Sequence, residues 1–334
     1  MVAHSTLSEL LDRQRLFDPE YRGGLSNHLP MALVALSRMG ASAERLRVFA
    51  RLYERRLEPA PPTGQVLSRE TWRRHLGHRV NYPDFLATFV QELTQERWPD
   101  VLREVLPLLM PGCSAAAFHP LIRLSFAIET KSPSEVTIAL AYWAARFLRL
   151  GGDGIEERKT LSPNPKELLG RLAGDVSFKH RPDQDSLIDV EMKRATCMPE
   201  FVPVIGWLAI APDTLKRLAR TALEVYAATA DFTALHMVTG VQSARSFLPW
   251  CAEPEVVIRY LWQAIAAAYL SIGKPAIPEV PSLDTRQAPD WPVILRAACD
   301  ADDEHVIKIV HSCWVEDSAY KDPLYRAVAA RAIQ

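Results

Sequence analysis

The chain has 334 residues, 48% hydrophobic and 24% charged, with 39 Lys and Arg against 40 Asp and Glu for a formal net charge of −1. This length buries a large core, as one extended helical domain or two closely packed halves. The near-neutral balance gives no electrostatic basis for nucleic acid or an anionic membrane as the main partner, and leaves an apolar or neutral ligand as the expectation.

The first residues, MVAHSTLSELLDRQRLFDPEYRGG, carry no apolar run behind a basic stretch, so no secretory signal is expected. No segment reaches the roughly 18 uninterrupted apolar residues of a membrane span. The longest apolar stretch, roughly 261–272, suits an ordinary buried helix. Five cysteines, Cys113, Cys197, Cys251, Cys299 and Cys313, are scattered and never form a CxxC pair. Neither a disulfide framework nor a structural zinc site is expected, and the expected location is the reducing cytoplasm.

Helical periodicity dominates in chain order. In HLPMALVALSRMG, Leu29, Leu33, Leu36 and Met39 recur at spacings of three and four, and Pro30 sits where a first turn tolerates a missing N–H. Further helical patterns cover roughly 42–57, 82–95, 98–109 and 120–130. Pro59-Ala60-Pro61-Pro62 is a stiff surface connector. Ser132-Pro133-Ser134-Glu135 is a capping box that opens a helix running to about Leu150, stopped by Gly151-Gly152. Residues 151–200 are rich in Gly, Pro and charge, with one short helix near 166–173. Helical patterns resume over 213–229, 232–246, 254–272, 289–299, 303–315 and 322–333. Between them, residues 273–288 form an extended crossing marked by Pro275, Pro278 and Pro281, with Pro289 just beyond. Strand signals are weak and no fixed repeat is present. The expected fold is all-α: an irregular multi-helix bundle, a single domain over 1–334, with any internal boundary between two helical halves in the 151–200 polar segment.

With 14 glycines and neither GxGxxG nor GxxxxGK[ST], the sequence has no FAD-binding or dinucleotide-binding motif. Nine histidines remain as candidates for chemistry. His75 and His78 sit beside Trp72, Arg73 and Arg74, where basic neighbours disfavour a cation and a solvated face is expected. His4 and His180 lie in polar contexts and receive no role. Four others have unusual settings. His28 follows Gly23-Gly24 and directly precedes the Leu29-Pro30 helix start, and His119 precedes Pro120 in the same way. His236 lies inside the apolar TALHMVTG, and His305 lies in DDEHVIKIVHSCW, with Lys308 one turn on along the same face. Such positions aim an imidazole into a bundle, the way helical proteins build metal sites. Taken singly, each is more often a capping or core histidine than a ligand.

YRGGLSNHLPMALVALSRMGAS, TWRRHLGHRVNYPDFLATFVQEL, AFHPLIRLSFAIE, DFTALHMVTGVQSARSFLPW and DDEHVIKIV together resemble, in order, the blocks of the questin oxidase-like family. They span most of the chain, and 151–200 matches least. The family includes fungal enzymes that open a ring of polyketide anthraquinones with a Baeyer–Villiger-like outcome, a reaction linked to NADPH, and its members hold a non-haem metal through histidines of distant helices. The resemblance therefore implies an oxidoreductase of monooxygenase or dioxygenase type, with Fe(II) as metal, dioxygen and a small-molecule aromatic as substrates, and NADPH at most as reductant. It implies His28, His119, His236, His305 and Lys308 as catalytic and metal-binding residues, Lys308 as a carbamate. An ammonium repels a dication, whereas a carbamate is a hard oxygen ligand; otherwise Lys308 snorkels to solvent.

Asn27 beside His28, and Arg123 and Glu129 beyond His119, are the supporting residues the same blocks suggest. A Glu129 carboxylate can fix a ligand tautomer or form a surface ion pair. His311 lies about 120° around the helix from His305, so it lines the pocket rather than the metal. Phe118, Phe126, Met237 and Trp250 can stack on a flat substrate or simply fill the core. Pro120 stands where the fungal pattern has a smaller residue, a departure that bears on the substrate. Two other readings stay open: a non-catalytic helical small-molecule-binding or scaffold protein, and a zinc-dependent hydrolase on the same fold. The oligomeric state is open.

Overall fold

A computed structural model describes residues 2–151, 160–183, 185–279 and 283–334. Gly152 and Pro281, expected to stop a helix and to stiffen a crossing, lie outside the described residues. The fold is all-α. Helices joined by short 3₁₀ turns account for nearly all regular structure, and the one named sheet among the described residues is a two-stranded hairpin, Glu20–Tyr21 paired antiparallel with Leu25–Ser26. No helix among the described residues is long and apolar enough to cross a membrane.

The chain forms two compact units, each assembled from separate segments: Met1–Trp98, Pro120–Ala145 and Leu283–Gln334 in one, Pro99–His119 and Arg146–Ser282 in the other. The described residues of 151–200, the segment expected to hold any internal boundary, fall in the second unit. Its Pro165–Gly174 helix buries Leu168, Leu169 and Leu172.

In the first unit, the Leu29–Met39 helix buries every residue from Leu29 to Leu36, then Met39, and ends on Gly40 in the left-handed region (φ 99°). It packs on Ala43–Glu54, Trp291–Asp300 and Glu304–Tyr320. The Glu304–Tyr320 helix outruns the expected end at 315. Glu316 reads as a terminal charge but is buried, continuing an inward face through Lys308 and Ser312 at the four-residue spacing of stacked helical turns. Half of the expected capping box forms: the Ser132 hydroxyl accepts the Glu135 N–H at 3.3 Å, while the Ser132 N–H donates to the Ala127 carbonyl and the Glu135 carboxylate turns to Arg123. Its helix, Pro133–Arg146, stops short of Leu150.

In the second unit, the helices Thr214–Thr229 and Phe232–Phe247 form a hairpin that turns at Ala230 (φ 51°) and Asp231, whose carboxylate accepts the N–H groups of Thr233 and Ala234. The Pro254–Ser271 helix packs on Phe232–Phe247, Ile188–Ala195 and Pro165–Gly174. It is buried almost all round, and its Trp262 indole N–H donates to the Val204 carbonyl at 2.8 Å. At the start of this unit's second segment, Arg146 pairs with Asp189 at 2.9 Å and the Leu148 carbonyl accepts the Ser114 hydroxyl at 2.9 Å, contacts that draw residues 147–150 out of a helical path.

Candidate functional site

In the first unit, the hairpin turn needs positive φ at Gly23 (79°) and Gly24 (131°), which glycine supplies without steric cost. The strand that follows is pinned by the buried Ser26 hydroxyl on the Tyr142 phenol at 2.7 Å. Asn27 fixes the next step: its N–H donates to the Pro19 carbonyl at 2.8 Å and its side-chain oxygen accepts the Leu29 N–H at 3.0 Å. This delivers His28, buried, to the position just before the Leu29–Met39 helix. Its N–H donates to the Tyr53 phenol at 3.2 Å.

The His28 ring meets the His305 ring edge to face, with centroids 4.6 Å apart. His28, Glu304 and His305 each offer a ligand atom, all within 4.8 Å of one another. Asp303 caps the Glu304–Tyr320 helix by accepting the His305 N–H at 2.7 Å, and it also faces His305 Nδ1 at 3.2 Å. An ionised carboxylate only accepts, so the proton is on Nδ1 and the Nε2 lone pair is left for a ligand role. The imidazole contact holds Asp303 down at about 2, while burial holds His305 below its ordinary value and so neutral. Tyr53 joins the group from the other side. Its O–H donates to Glu304 at 3.4 Å, and burial together with that carboxylate pushes the phenol far above its usual range. One turn beyond His305, Lys308 is fully buried, its ammonium nitrogen has no hydrogen-bond partner, and burial lowers it to about 7.

The second unit carries the other pair. Ala116 (φ 40°, ψ 48°), Ala117 (φ 55°, ψ 49°) and Phe118 (φ 67°) are three consecutive left-handed residues, a backbone that costs an L-residue roughly 1–2 kcal/mol each. The turn is held by burial: Phe118 is fully enclosed, its ring seated on Gly240. The turn brings the Ala116 carbonyl onto Nδ1 of His119. On the Phe232–Phe247 helix, Nδ1 of His236 faces the Phe232 carbonyl at 2.8 Å. Carbonyls only accept, so both rings carry their proton on Nδ1. Their Nε2 atoms then approach each other as lone pairs at 3.1 Å. Two such lone pairs repel unless a cation or a shared proton lies between them, so this donor set fits a metal with affinity for imidazole.

The residues expected to support the site fall into distinct settings. Asn27 shapes the His28 turn. Arg123 is committed to a buried two-pronged ion pair with Glu135, at 2.9 and 3.0 Å. Glu129 pairs with Arg38 near the surface. His311 is buried, with neither ring nitrogen hydrogen-bonded, 5.2 Å from the Phe126 ring centroid. Phe118 and Met237 are fully buried in the second unit and Phe126 in the first, while Trp250 is half-buried with the Arg103 guanidinium 5.9 Å from its ring. His78 is exposed, and His75 faces the Asn81 amide at 3.1 Å. Glu304 and Tyr53 have no counterpart in the sequence reading. An acidic residue in a helix's first turn reads as dipole decoration, and nothing local marks Glu304 as buried.

The model of the questin oxidase-like family matches residues 25–313. The chain belongs to this family. Among relatives, it is 29% identical over 131 residues to Baeyer–Villiger oxidase AgnL3 of Paecilomyces divaricatus, covering 36% of this chain and 28% of the relative. It is 24% identical over 281 residues to Baeyer–Villiger oxidase ptaJ of Pestalotiopsis fici, covering 72% and 62%. To the questin oxidase of Aspergillus terreus it is 32% identical over 134 residues, covering 36% and 29%. The chain therefore spans less than two thirds of the length of each of these relatives. Both histidine pairs, Glu304 and Lys308 lie within the span matched to the questin oxidase-like family.

Proposed function

We propose that this chain is an oxidoreductase that uses dioxygen on a polycyclic aromatic or quinone-type substrate, with a Baeyer–Villiger-like ring opening and iron as its metal. Membership of the questin oxidase-like family and relatives named as Baeyer–Villiger and questin oxidases support the reaction class. The observation that carries the metal is the His119–His236 approach, Nε2 to Nε2 at 3.1 Å with both Nδ1 atoms on main-chain carbonyls.

In this reading His119, His236, His28 and His305 present neutral imidazoles, and the carbonyls of Ala116 and Phe232 and the carboxylate of Asp303 hold three of their tautomers. Lys308, lowered to about 7, supplies a neutral amine near physiological pH. The amine nitrogen bonds to the carbon of carbon dioxide and sheds a proton, leaving an anionic carbamate that offers oxygen. Tyr53 and Arg56 hold Glu304 in place from 3.4 and 3.5 Å. Iron, when bound, supplies the electrons and coordination that activate dioxygen, which no side chain here can do alone. NADPH has the role of keeping the substrate in its electron-rich hydroquinone form, and a reducing cytoplasm suits the five free cysteines.

The test is elemental analysis of protein purified under low oxygen with iron supplied, followed by oxygen uptake with a panel of hydroxyanthraquinones. Close to one iron per chain, lost together with uptake in His236→Ala while helical circular dichroism is kept, is the expected result. A His236→Ala protein with full metal and turnover overturns the ligand assignment. Zinc in place of iron, with no oxygen uptake, overturns the oxidase reading.

A further inference from the structure

The sequence places His311 in the pocket lining without saying what it binds, and its setting is that of a binding group. It lies one turn past Lys308, is 1% exposed, and neither Nδ1 nor Nε2 has a hydrogen-bond partner. A neutral imidazole carries one N–H and one lone pair, so the ring offers a donor and an acceptor, both unmet, in a place water does not reach freely. Two aromatic rings lie near it: Phe126 at 5.2 Å with the rings inclined 39°, and the half-buried Trp314 at 6.4 Å. The charge that bears on it is Arg38, itself paired with Glu129. Lys308 Nζ on the preceding turn is also buried without a hydrogen bond. Buried polar atoms are almost always paired, and an exception calls for an explanation such as a ligand, an ordered water or a catalytic role.

We propose that His311 is a substrate-binding residue that hydrogen-bonds a ring oxygen, phenol or quinone carbonyl, of a flat hydroxylated aromatic whose face lies against Phe126. The inference rests on the aromatic-substrate reading above and adds to it the group that recognises oxygen on the ring. The donor of the imidazole meets a carbonyl and its lone pair meets a phenol O–H, so either oxidation level of the substrate is accommodated. The aromatic walls contribute stacking that does not depend on the oxygen.

The experiment is an anaerobic absorption titration of the full chain with 1,8-dihydroxyanthraquinone, and with anthracene as the same ring system without oxygen. Wild type is expected to bind the dihydroxyanthraquinone about 3- to 10-fold more tightly than His311→Leu, the range of one neutral hydrogen bond. His311→Gln, which keeps a donor and an acceptor, restores part of the difference. Anthracene binds wild type and His311→Leu alike. His311→Leu is expected to melt no lower than wild type, because it removes two unmet polar atoms from a buried site. Equal binding of the dihydroxyanthraquinone by wild type and His311→Leu overturns the proposal and leaves the aromatic-substrate reading standing; an ordered water on His311 would give that result. Loss of binding to the same degree in His311→Leu and His311→Gln also overturns it, marking a packing role. Failure of wild type to bind either compound overturns the aromatic-substrate reading, and this inference with it.

Discussion

The ring of Phe118 rests on Gly240: a Cβ added to that glycine would stand 3.0 Å from the ring's Cδ1. Phe118 is fully buried and left-handed (φ 67°), the last of three such residues before His119, so it has little freedom to retreat. Gly240→Ala gains up to about 1 kcal/mol of helix propensity and loses about 1–3 kcal/mol to overpacking. The expected outcome is a protein destabilised by about 1 kcal/mol whose iron content falls more than its melting temperature, because the displaced ring moves the turn that seats His119. Parallel thermal melts and metal analysis check this. Unchanged iron would show that the His119 position tolerates movement of Phe118.

Lys308 gives a prediction that needs no substrate. Exchange of the protein into carbon dioxide-free buffer should lower its retention of iron, and bicarbonate should restore it. Lys308→Met should hold iron weakly in both buffers and respond to neither change. Metal analysis after desalting measures all four conditions, and a bicarbonate response that persists in Lys308→Met would assign the effect elsewhere.

How much of this arrangement is legible in the sequence differs from residue to residue. Pro30 and Gly40 mark the ends of one helix, and Ser132 with Glu135 the start of another, because caps and breakers act over a few residues. The positions of His28 and His305 just before or just inside helices are visible in the same way. Their edge-to-face meeting is not, since it joins residues far apart in the chain through the packing of Leu29–Met39 on Glu304–Tyr320. The left-handed run at Ala116–Phe118 is invisible for a stronger reason. Alanine there contradicts local preference, and burial, including that of Phe118 against Gly240, sustains it. The sequence pattern stops at 315, short of the helix end at Tyr320, because the burial of Glu316 depends on neighbouring helices.

His311 predicts a pH dependence. Burial, with Arg38 adding to it, pushes the imidazole from 6.5 down to about 3. As pH falls below 6.5 the unfolded chain takes up a proton at this position and the folded chain does not. Stability from this group is therefore whole above 6.5 and declines toward 3, by up to about 1.4 kcal/mol per pH unit. Urea denaturation at steps from pH 7 to pH 4 should show a shallower decline in His311→Leu than in wild type. Parallel curves would mean that His311 titrates alike in both states.

Arg123 and Glu135 are each 2% exposed and joined by two hydrogen bonds within the first unit. Removing one partner strands a buried charge, so Arg123→Met or Glu135→Leu alone should cost about 3–5 kcal/mol. The double variant should recover most of that loss, since an apolar pair of similar volume carries no desolvation penalty. Chemical denaturation of the three variants measures the coupling, and additive losses would show that each residue acts through other contacts.

The passage of the chain between its two units after Trp98, His119, Ala145 and Ser282 has a consequence for inheritance and engineering. No single cut in the gene separates one unit from the other, so neither can be shuffled between proteins as a cassette with one upstream and one downstream junction. His119 closes one segment and Pro120 opens the next, so recombination at that point would part a histidine from the helix it begins. Variation in this architecture is expected to accumulate by substitution in place rather than by exchange of modules.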